Sequence, residues 1–314
     1  MNDQQTLFMK SVYRPLRVER AEGPYLFTDD GQKILDAASG AVVVNIGQGR
    51  EEIAQLAAEQ IRQLNYILPI WISPARERLV ERLARWTPPG LNRFFFTSGG
   101  SESVEAALKF AVYYHSLKGR PEKKRFISRW FSYHGNTLAA LSVSGNLSRR
   151  AGFEHALFDW PKIPPSYCYR CPWEKTYPGC ELDCATALEK EIQRAGAGTI
   201  AAFIAEPMVG ASGGVIPPVK EYWPRLAEIC RRHDVLLIAD EVMTGFGRTG
   251  KRFAVEHWDA VKPDILVGGK GLTGGYLPMG MIAVDERLVQ ECEARNGDFM
   301  FYTYSAHPLG CAIA

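Results

Sequence analysis

PDILVGGKGLTGGYLP, residues 263–278, is the stretch whose reading decides the fold. Asp264 to Val267 reads as a short apolar strand, buried and closed by glycines. Lys270 follows Gly268 and Gly269 and precedes Gly271, so it stands on an irregular turn just past the strand's carboxyl end. Most lysines are solvated among other charges, but this turn is nearly uncharged. An amine held there and partly desolvated has its pKa lowered and becomes a nucleophile able to form a Schiff base. The plain alternative is a solvated loop lysine, and the rest of the chain decides between the two.

Outward from that turn the pattern alternates. Strand-like runs are RFFFT (93–97), RFISRW (125–130), TIAAFIAE (199–206), VLLIAD (235–240), DILVG (264–268) and GMIAV (280–284). Helical periodicity lies between most of them, at 102–117, 185–195 and 218–233. Continuous apolar strands separated by helices predict an α/β fold: a mainly parallel sheet covered by helices on both faces. Upstream, 51–66 predicts a helix with Ile53, Leu56, Ala57, Ile61 and Leu64 on one face. Another is expected over 76–86, with Leu79, Val80, Leu83 and Ala84 inward. Residues 23–40 read as a hairpin around Asp29-Asp30-Gly31, and the polar residues 1–21 are expected to wrap a surface.

The composition excludes several classes. The chain has 314 residues, 46% apolar and 23% charged, which is ordinary for a globular protein. A net charge of +2 points to neither nucleic acid nor an acidic membrane. There is no run of 18 apolar residues, and MNDQQTLFMK has no apolar signal core. Seven cysteines, an odd number, argue against a secreted disulfide framework. A cytoplasmic protein is expected. GCAIA (310–314) reads as the first turn of a helix, so a truncated chain is expected too.

In doubly wound sheets ligands sit beyond the carboxyl ends of the strands. In TSGGSESVEAALKFA (97–111) a strand runs through Gly99, Gly100 and Ser101 straight into a helix. Glycines admit backbone N–H groups to a ligand and a helix N-terminus favours an anion, although a plain N-cap has the same look. FSYHGNT (131–137) sets Tyr133 and His134 at a strand end, where an aromatic ring can stack on a planar ligand or simply fill a core. Glu206 ends an apolar strand and is a site residue or an ion-pair partner. Asp240 ends VLLIAD, where a carboxylate can keep a ring nitrogen protonated. Gly245-Phe246-Gly247-Arg248-Thr249-Gly250 matches G-x-G-x-x-G, but the dinucleotide reading fails because KRFAVEHW after it does not open like a helix. In FYTYSAHPLG (301–310), Thr303 and Ser305 offer hydroxyl donors for a phosphate. Anion cradle, stacking ring, carboxylate and amine together fit pyridoxal phosphate.

On these residues the chain resembles the class III, or ω-amino-acid type, pyridoxal-phosphate-dependent aminotransferases of fold type I. The resemblance runs from about Gly23 to the end, and its signature is LLIADEVMTGFGRTG followed by PDILVGGKGLTGGYLPMG. It implies that Lys270 forms the Schiff base and shuttles the proton, that Asp240 pairs with the pyridine nitrogen, that Tyr133 stacks in front of the ring and that Val242 packs behind it. It implies that Gly100 and Ser101 hold the phosphate, with His134 in the same site. Thr303 would reach the phosphate of a neighbouring subunit, so a homodimer with shared sites is expected. Glu206 would be a gate that pairs with a substrate-binding arginine. The implied reaction moves an amino group from an amine or ω-amino acid to pyruvate or another 2-oxo acid. An aminomutase, racemase or decarboxylase shares the same cofactor residues, and an inactive fragment is a further alternative. Neither nucleic acid nor membrane is an expected partner.

The implied division is 1–50 as the N-terminal segment of a small domain and 51–314 as the large cofactor-binding domain, the C-terminal small domain being absent. Gln48 stands where many members carry His, and Ala41 and Val42 stand where amine-accepting relatives often carry bulky aromatics, which implies a different donor pocket. The insertion 161–184 carries Cys168, Cys171, Cys180 and Cys184. Their spacing admits zinc or an iron–sulfur cluster, or reduced structural thiols. Similar insertions occur in taurine–pyruvate-like members, which places the chain near that subfamily rather than assigning a metal.

Overall fold

The structure is a computed structural model, and it describes residues 16–294 and 300–314. Among the described residues ten strands are formed: β1 (Val18–Glu22), β2 (Tyr25–Thr28), β3 (Lys33–Leu35), β4 (Leu91–Thr97), β5 (Arg125–Arg129), β6 (Lys162–Ile163), β7 (Ile200–Ala205), β8 (Leu236–Asp240), β9 (Ile265–Gly268) and β10 (Gly280–Asp285). β1, β2 and β3 make a small antiparallel sheet. The expected hairpin is β2–β3. Residues 18–21, within the stretch 1–21 expected to wrap a surface, instead belong to a third strand; residues 1–15 of that stretch lie outside the described residues. The added strand gains a side-chain partner, since the Arg20 guanidinium lies 3.5 Å over the Phe27 ring.

The main sheet has seven strands in the order β4-β10-β9-β8-β7-β5-β6. The pairs β5–β6, β5–β7, β7–β8 and β8–β9 are parallel. β10 runs antiparallel to both β9 and β4. The physical reason is the connection 269–279, which is a turn without a crossover helix, and a parallel return needs a long crossover. Because β10 is reversed between them, β4 and β9 point the same way. The carboxyl ends of β4, β5, β7, β8 and β9 therefore share one edge of the sheet.

Each face of the sheet carries one layer of the core. Ile204, Ile238, Val267 and Ile282 pack with Val104, Leu108 and Ala111 of the Gly100–Leu117 helix. Phe203, Leu237, Leu266 and Met281 pack on the other face with Leu188 and Ile192 of the Asp183–Ala195 helix and Trp223, Leu226 and Ile229 of the Tyr222–Arg232 helix. β7 is buried along its whole length, as a central parallel strand covered on both faces must be. Two face assignments are corrected. On the Glu51–Gln63 helix Ile61 is exposed, and the buried position is Gln60, whose amide donates to Leu64 O (2.9 Å). On the Pro74–Trp86 helix Ala75, Leu79 and Leu83 are buried while Ala84, one residue past Leu83, turns outward.

The glycine run at 245–250 leads into a short 3-10 turn, Ala254–His257. The loop is stapled by Glu241, 0% exposed, whose carboxylate accepts from Thr244 Oγ1 (2.5 Å) and from Val255 N (2.7 Å). Burial pushes this carboxyl up to about 7, well above its ordinary 4.5. A carboxyl with a raised folded pKa favours the folded state at low pH and loses that contribution as pH rises. The stability of the native chain relative to Glu241→Gln is therefore expected to fall by on the order of 3 kcal/mol between pH 4.5 and 7. Denaturant titrations of both proteins across that range measure it, and a pH-independent difference contradicts it.

Candidate functional site

At the end of β4 the chain passes through Ser98 and Gly99 into the Gly100–Leu117 helix. The first N–H groups of a helix have no partner within it and favour an anion. Two contacts hold this junction: Glu102 accepts from Ser98 N (2.8 Å), and Ser103 Oγ lies 2.7 Å from Thr97 Oγ1. Gly100 has no room for a side chain, because a Cβ there would stand 2.9 Å from Val242 Cγ1. A Cβ on Gly269 would stand 3.6 Å from the Gly100 Cα. The cradle, Val242 and the Lys270 turn thus touch one another across the ends of β4, β8 and β9.

The loop after β5 closes a second side. Ser101 Oγ accepts from Asn136 N (3.1 Å). Gly135 has φ +138°, and a Cβ there would stand 2.6 Å from Ser101 Oγ, so the approach needs glycine. Glu105 accepts from Ala139 N (3.1 Å) and Ala140 N (3.2 Å) and caps the Leu138–Val143 helix from outside. Tyr133 keeps 39% of its surface exposed, whereas His134 is 3% exposed. His134 Nδ1 lies 2.6 Å from Asp240 Oδ2, and the other oxygen of Asp240 accepts from Val242 N (3.0 Å). Asp240 is 3% exposed, a buried anion answered on both oxygens.

Lys270 opens a 3-10 turn with φ +42°, a left-handed conformation uncommon outside glycine. The following Gly271 is pressed against Asn45, whose amide donates to Phe246 O (2.9 Å). Burial lowers the Lys270 amine, and the charges of Asp240 and then Glu206 work against that. The turn lysine is therefore the half-buried amine of the first reading, not the solvated one. Glu206 is 6% exposed. Its Oε1 is 3.4 Å from the Tyr133 and Gly210 backbone nitrogens, and Oε2 stands 3.7 Å from Arg129 Nη2.

The structure brings Gly100, Ser101, Tyr133, His134, Glu206, Asp240, Val242 and Lys270 to one edge. Thr303 is exposed, and its carbonyl accepts from Tyr66 OH (3.0 Å). Ser305 is corrected as a phosphate donor: it is buried and its hydroxyl donates to Phe96 O (2.7 Å). Among the described residues no group of three or more His, Cys, Asp or Glu side chains is placed to hold a metal ion. Cys168 is exposed, Cys171 and Cys184 are half-buried and Cys180 is buried, all as free thiols, with Cys184 inside the Asp183–Ala195 helix. Arg129, Glu105 and Asn45 were missed in the sequence. Only Arg129 had a visible signal, a charge at the end of a buried strand.

The sequence profile of the family described as Aminotransferase class-III matches residues 8–314. The chain is 43% identical over 299 residues to an uncharacterized aminotransferase of Bacillus subtilis, covering 95% of this chain and 67% of that one. It is 38% identical to the putrescine–pyruvate aminotransferase of Pseudomonas aeruginosa, covering 95% and 65%. The chain thus spans about two thirds of the length of these curated relatives. Among solved structures, an amine transaminase of an uncultivated Pseudomonas species in its PLP-bound form superposes with a TM-score of 0.90 at 37% identity, covering 98% of this chain and 72% of that one.

The electrostatics of Lys270 give a direct test. In protein stripped of small molecules, Lys270 is expected to acylate at mildly alkaline pH ahead of exposed lysines such as Lys251. Asp240→Asn removes a charge that holds the ammonium form, so it is expected to speed the modification further. Peptide mapping by mass spectrometry reads both rates; a slower Lys270 in the variant contradicts the assignment.

Proposed function

The chain belongs to the class-III aminotransferases, and from that premise we propose that it transfers an amino group from an amine or ω-amino acid to pyruvate or another 2-oxo acid, using pyridoxal 5'-phosphate. The observation that carries this is the meeting of a half-buried lysine, a buried carboxylate and an anion cradle at one sheet edge. The donor set fits the cofactor. Backbone N–H groups at Gly100 and Ser101 suit a phosphate, and the glycines at 100 and 269 leave backbone rather than side chains at the contact. Asp240 offers a buried anion for a protonated ring nitrogen, Tyr133 a half-exposed ring face, and Lys270 an amine for the covalent link.

Bound there, the cofactor supplies an electrophilic carbon and a ring that stores an electron pair. The protein's own groups do the rest. The cradle binds the phosphate and fixes its register. Asp240, oriented by His134 and by Val242 N, would hold a ring nitrogen of the cofactor protonated. Val242 packs against Gly100 and excludes water from that side. Lys270 Nζ, lowered by burial, accepts a proton from the donor's carbon and gives one back, general acid–base work that suits an amine with a depressed pKa.

Three further assignments complete the reading. Residues 1–50, of which 1–15 lie outside the described residues, are assigned to the N-terminal segment of a small domain, and 51–314 to the cofactor-binding domain. The site of action is the cytoplasm, in keeping with the absence of any helix long and apolar enough to cross a membrane among the described residues. The working unit is a homodimer in which Thr303 serves the partner's phosphate. Ile70, Trp71 and Ile72 are 68%, 57% and 67% exposed, with Phe301 and Tyr304 also bare, an apolar surface that a second copy would cover.

Two measurements test this. With a range of donors, including putrescine and taurine, the native protein is expected to convert its bound cofactor to the amino form with donor alone and to regenerate it with a 2-oxo acid. Lys270→Ala is expected to lose this by several orders of magnitude and to leave no cofactor fixed to the chain after borohydride reduction. Turnover without the amino form accumulating would favour a racemase or mutase instead. Sedimentation is expected to give a dimer that Trp71→Glu dissociates; a fully active monomer would sink the shared-site reading.

A further inference from the structure

Arg129 is the strongest charge near the site that the reading above leaves without a role. It closes β5 and is 1% exposed. Burying a guanidinium is costly unless it is paired, and an arginine does not escape by losing its proton. The pairing of Arg129 runs towards Glu206. Nη2 donates to the Glu206 backbone oxygen (2.6 Å) and stands 3.7 Å from Oε2. Nε has no hydrogen-bond partner among the described residues, nor has the hydroxyl of Tyr222, itself 0% exposed.

Glu206 is tethered from one side only. Its Oε1 receives two long contacts, from Tyr133 N and Gly210 N, and Oε2 has no hydrogen bond among the described residues. So poorly satisfied a carboxylate would take up a proton if burial alone decided. Burial does push Glu206 up. The charges of His134 and Arg129 work against it, and Asp240 works with it. Glu206 in turn is one of two carboxylates, after Asp240, that act on Lys270. Arg129 thus bears on Glu206, and Glu206 and Asp240 both bear on the reacting amine.

Resting on the function proposed above, we propose that Arg129 is a positioning residue: its buried guanidinium holds Glu206 as a carboxylate, so that Lys270 works in the field of two buried anions, Glu206 and Asp240, rather than one. The same hold keeps Oε1 against the backbone of Tyr133 and sets the ring that follows. Loss of Arg129 lets Glu206 take a proton. One of the two anions that act on Lys270 then disappears, and the ammonium form of Lys270 loses support.

The test uses the full chain, loaded with cofactor and again freed of it. The pH dependence of Lys270 acylation is followed by peptide mapping in the native protein and in Arg129→Met, Arg129→Lys and Glu206→Gln. Arg129→Met and Glu206→Gln are each expected to lower the Lys270 midpoint by roughly one unit, and the double variant by no more than either alone. Arg129→Lys is expected to keep the native midpoint. The infrared band of a buried protonated carboxyl is expected in Arg129→Met and absent when Glu206→Gln is added. A folded Arg129→Met with an unchanged Lys270 midpoint and no such band overturns the proposal. If Arg129→Met does not fold, Glu206→Gln decides: an unchanged midpoint overturns it, a lowered one together with a native midpoint in Arg129→Lys supports it. Because acylation is read without cofactor, these outcomes stand apart from failure of the donor screen, which would count against the aminotransferase reading alone.

Discussion

A carboxylate at the end of a buried strand of a parallel sheet is a costly thing to place. Asp240 is such a group, and burying an unpaired charge costs several kcal/mol. The structure around it answers that cost oxygen by oxygen, with His134 on one and the Val242 amide on the other. His134 is in turn held at its backbone by Ser144 Oγ (2.8 Å). The loop that carries it is pressed onto Ser101 at Gly135. Hence the cradle after β4, the loop after β5 and the turn after β9 are all positioned by one buried anion. The chemistry of the site uses the same charge that the fold has to accommodate.

Close backbone approach is the second constraint. Gly100 and Gly269 come together at the ends of strands that are distant in sequence; a side chain at Gly100 would collide with Val242, and one at Gly269 would rest directly against Val242 and the cradle. This is possible because β10 is reversed between β4 and β9, which aligns their carboxyl ends at one edge. The reversal costs no crossover helix. It frees the short connection 269–279 to carry Lys270 in a left-handed conformation that a helix would not allow.

The buried charges beyond Asp240 follow the same logic at greater depth. Arg129, Glu206 and Glu241 each lie almost wholly inside; both oxygens of Glu241 are answered by neighbouring loop groups, whereas Arg129 and Glu206 are answered only in part. Glu241 staples a loop from within and stands apart from the reacting edge. Arg129 and Glu206 reach toward the edge from behind. Interiors of this kind are rigid once every member has its partner, and the partly satisfied ones are where charge can be tuned.

How much of this was legible depended on the range of the interaction. Apolar runs and helical periodicity located the six main strands and the long helices, because burial on one or two faces writes itself locally along the chain. Lys270 in its glycine-rich turn, Asp240 at the end of VLLIAD and the glycine-to-helix junction at 98–101 were equally local, and they sufficed to choose an α/β fold and a cofactor chemistry. The direction of β10, the contact of His134 with Asp240, the inward turn of Ser305 and the pairing of Arg129 with Glu206 were settled only in three dimensions. Each joins residues far apart in the chain, and no local pattern specifies a partner. The sequence alone determined which residue types stand at the strand ends; the tertiary structure decided which of those charges face one another, because a buried charge is satisfied by whatever packing brings beside it.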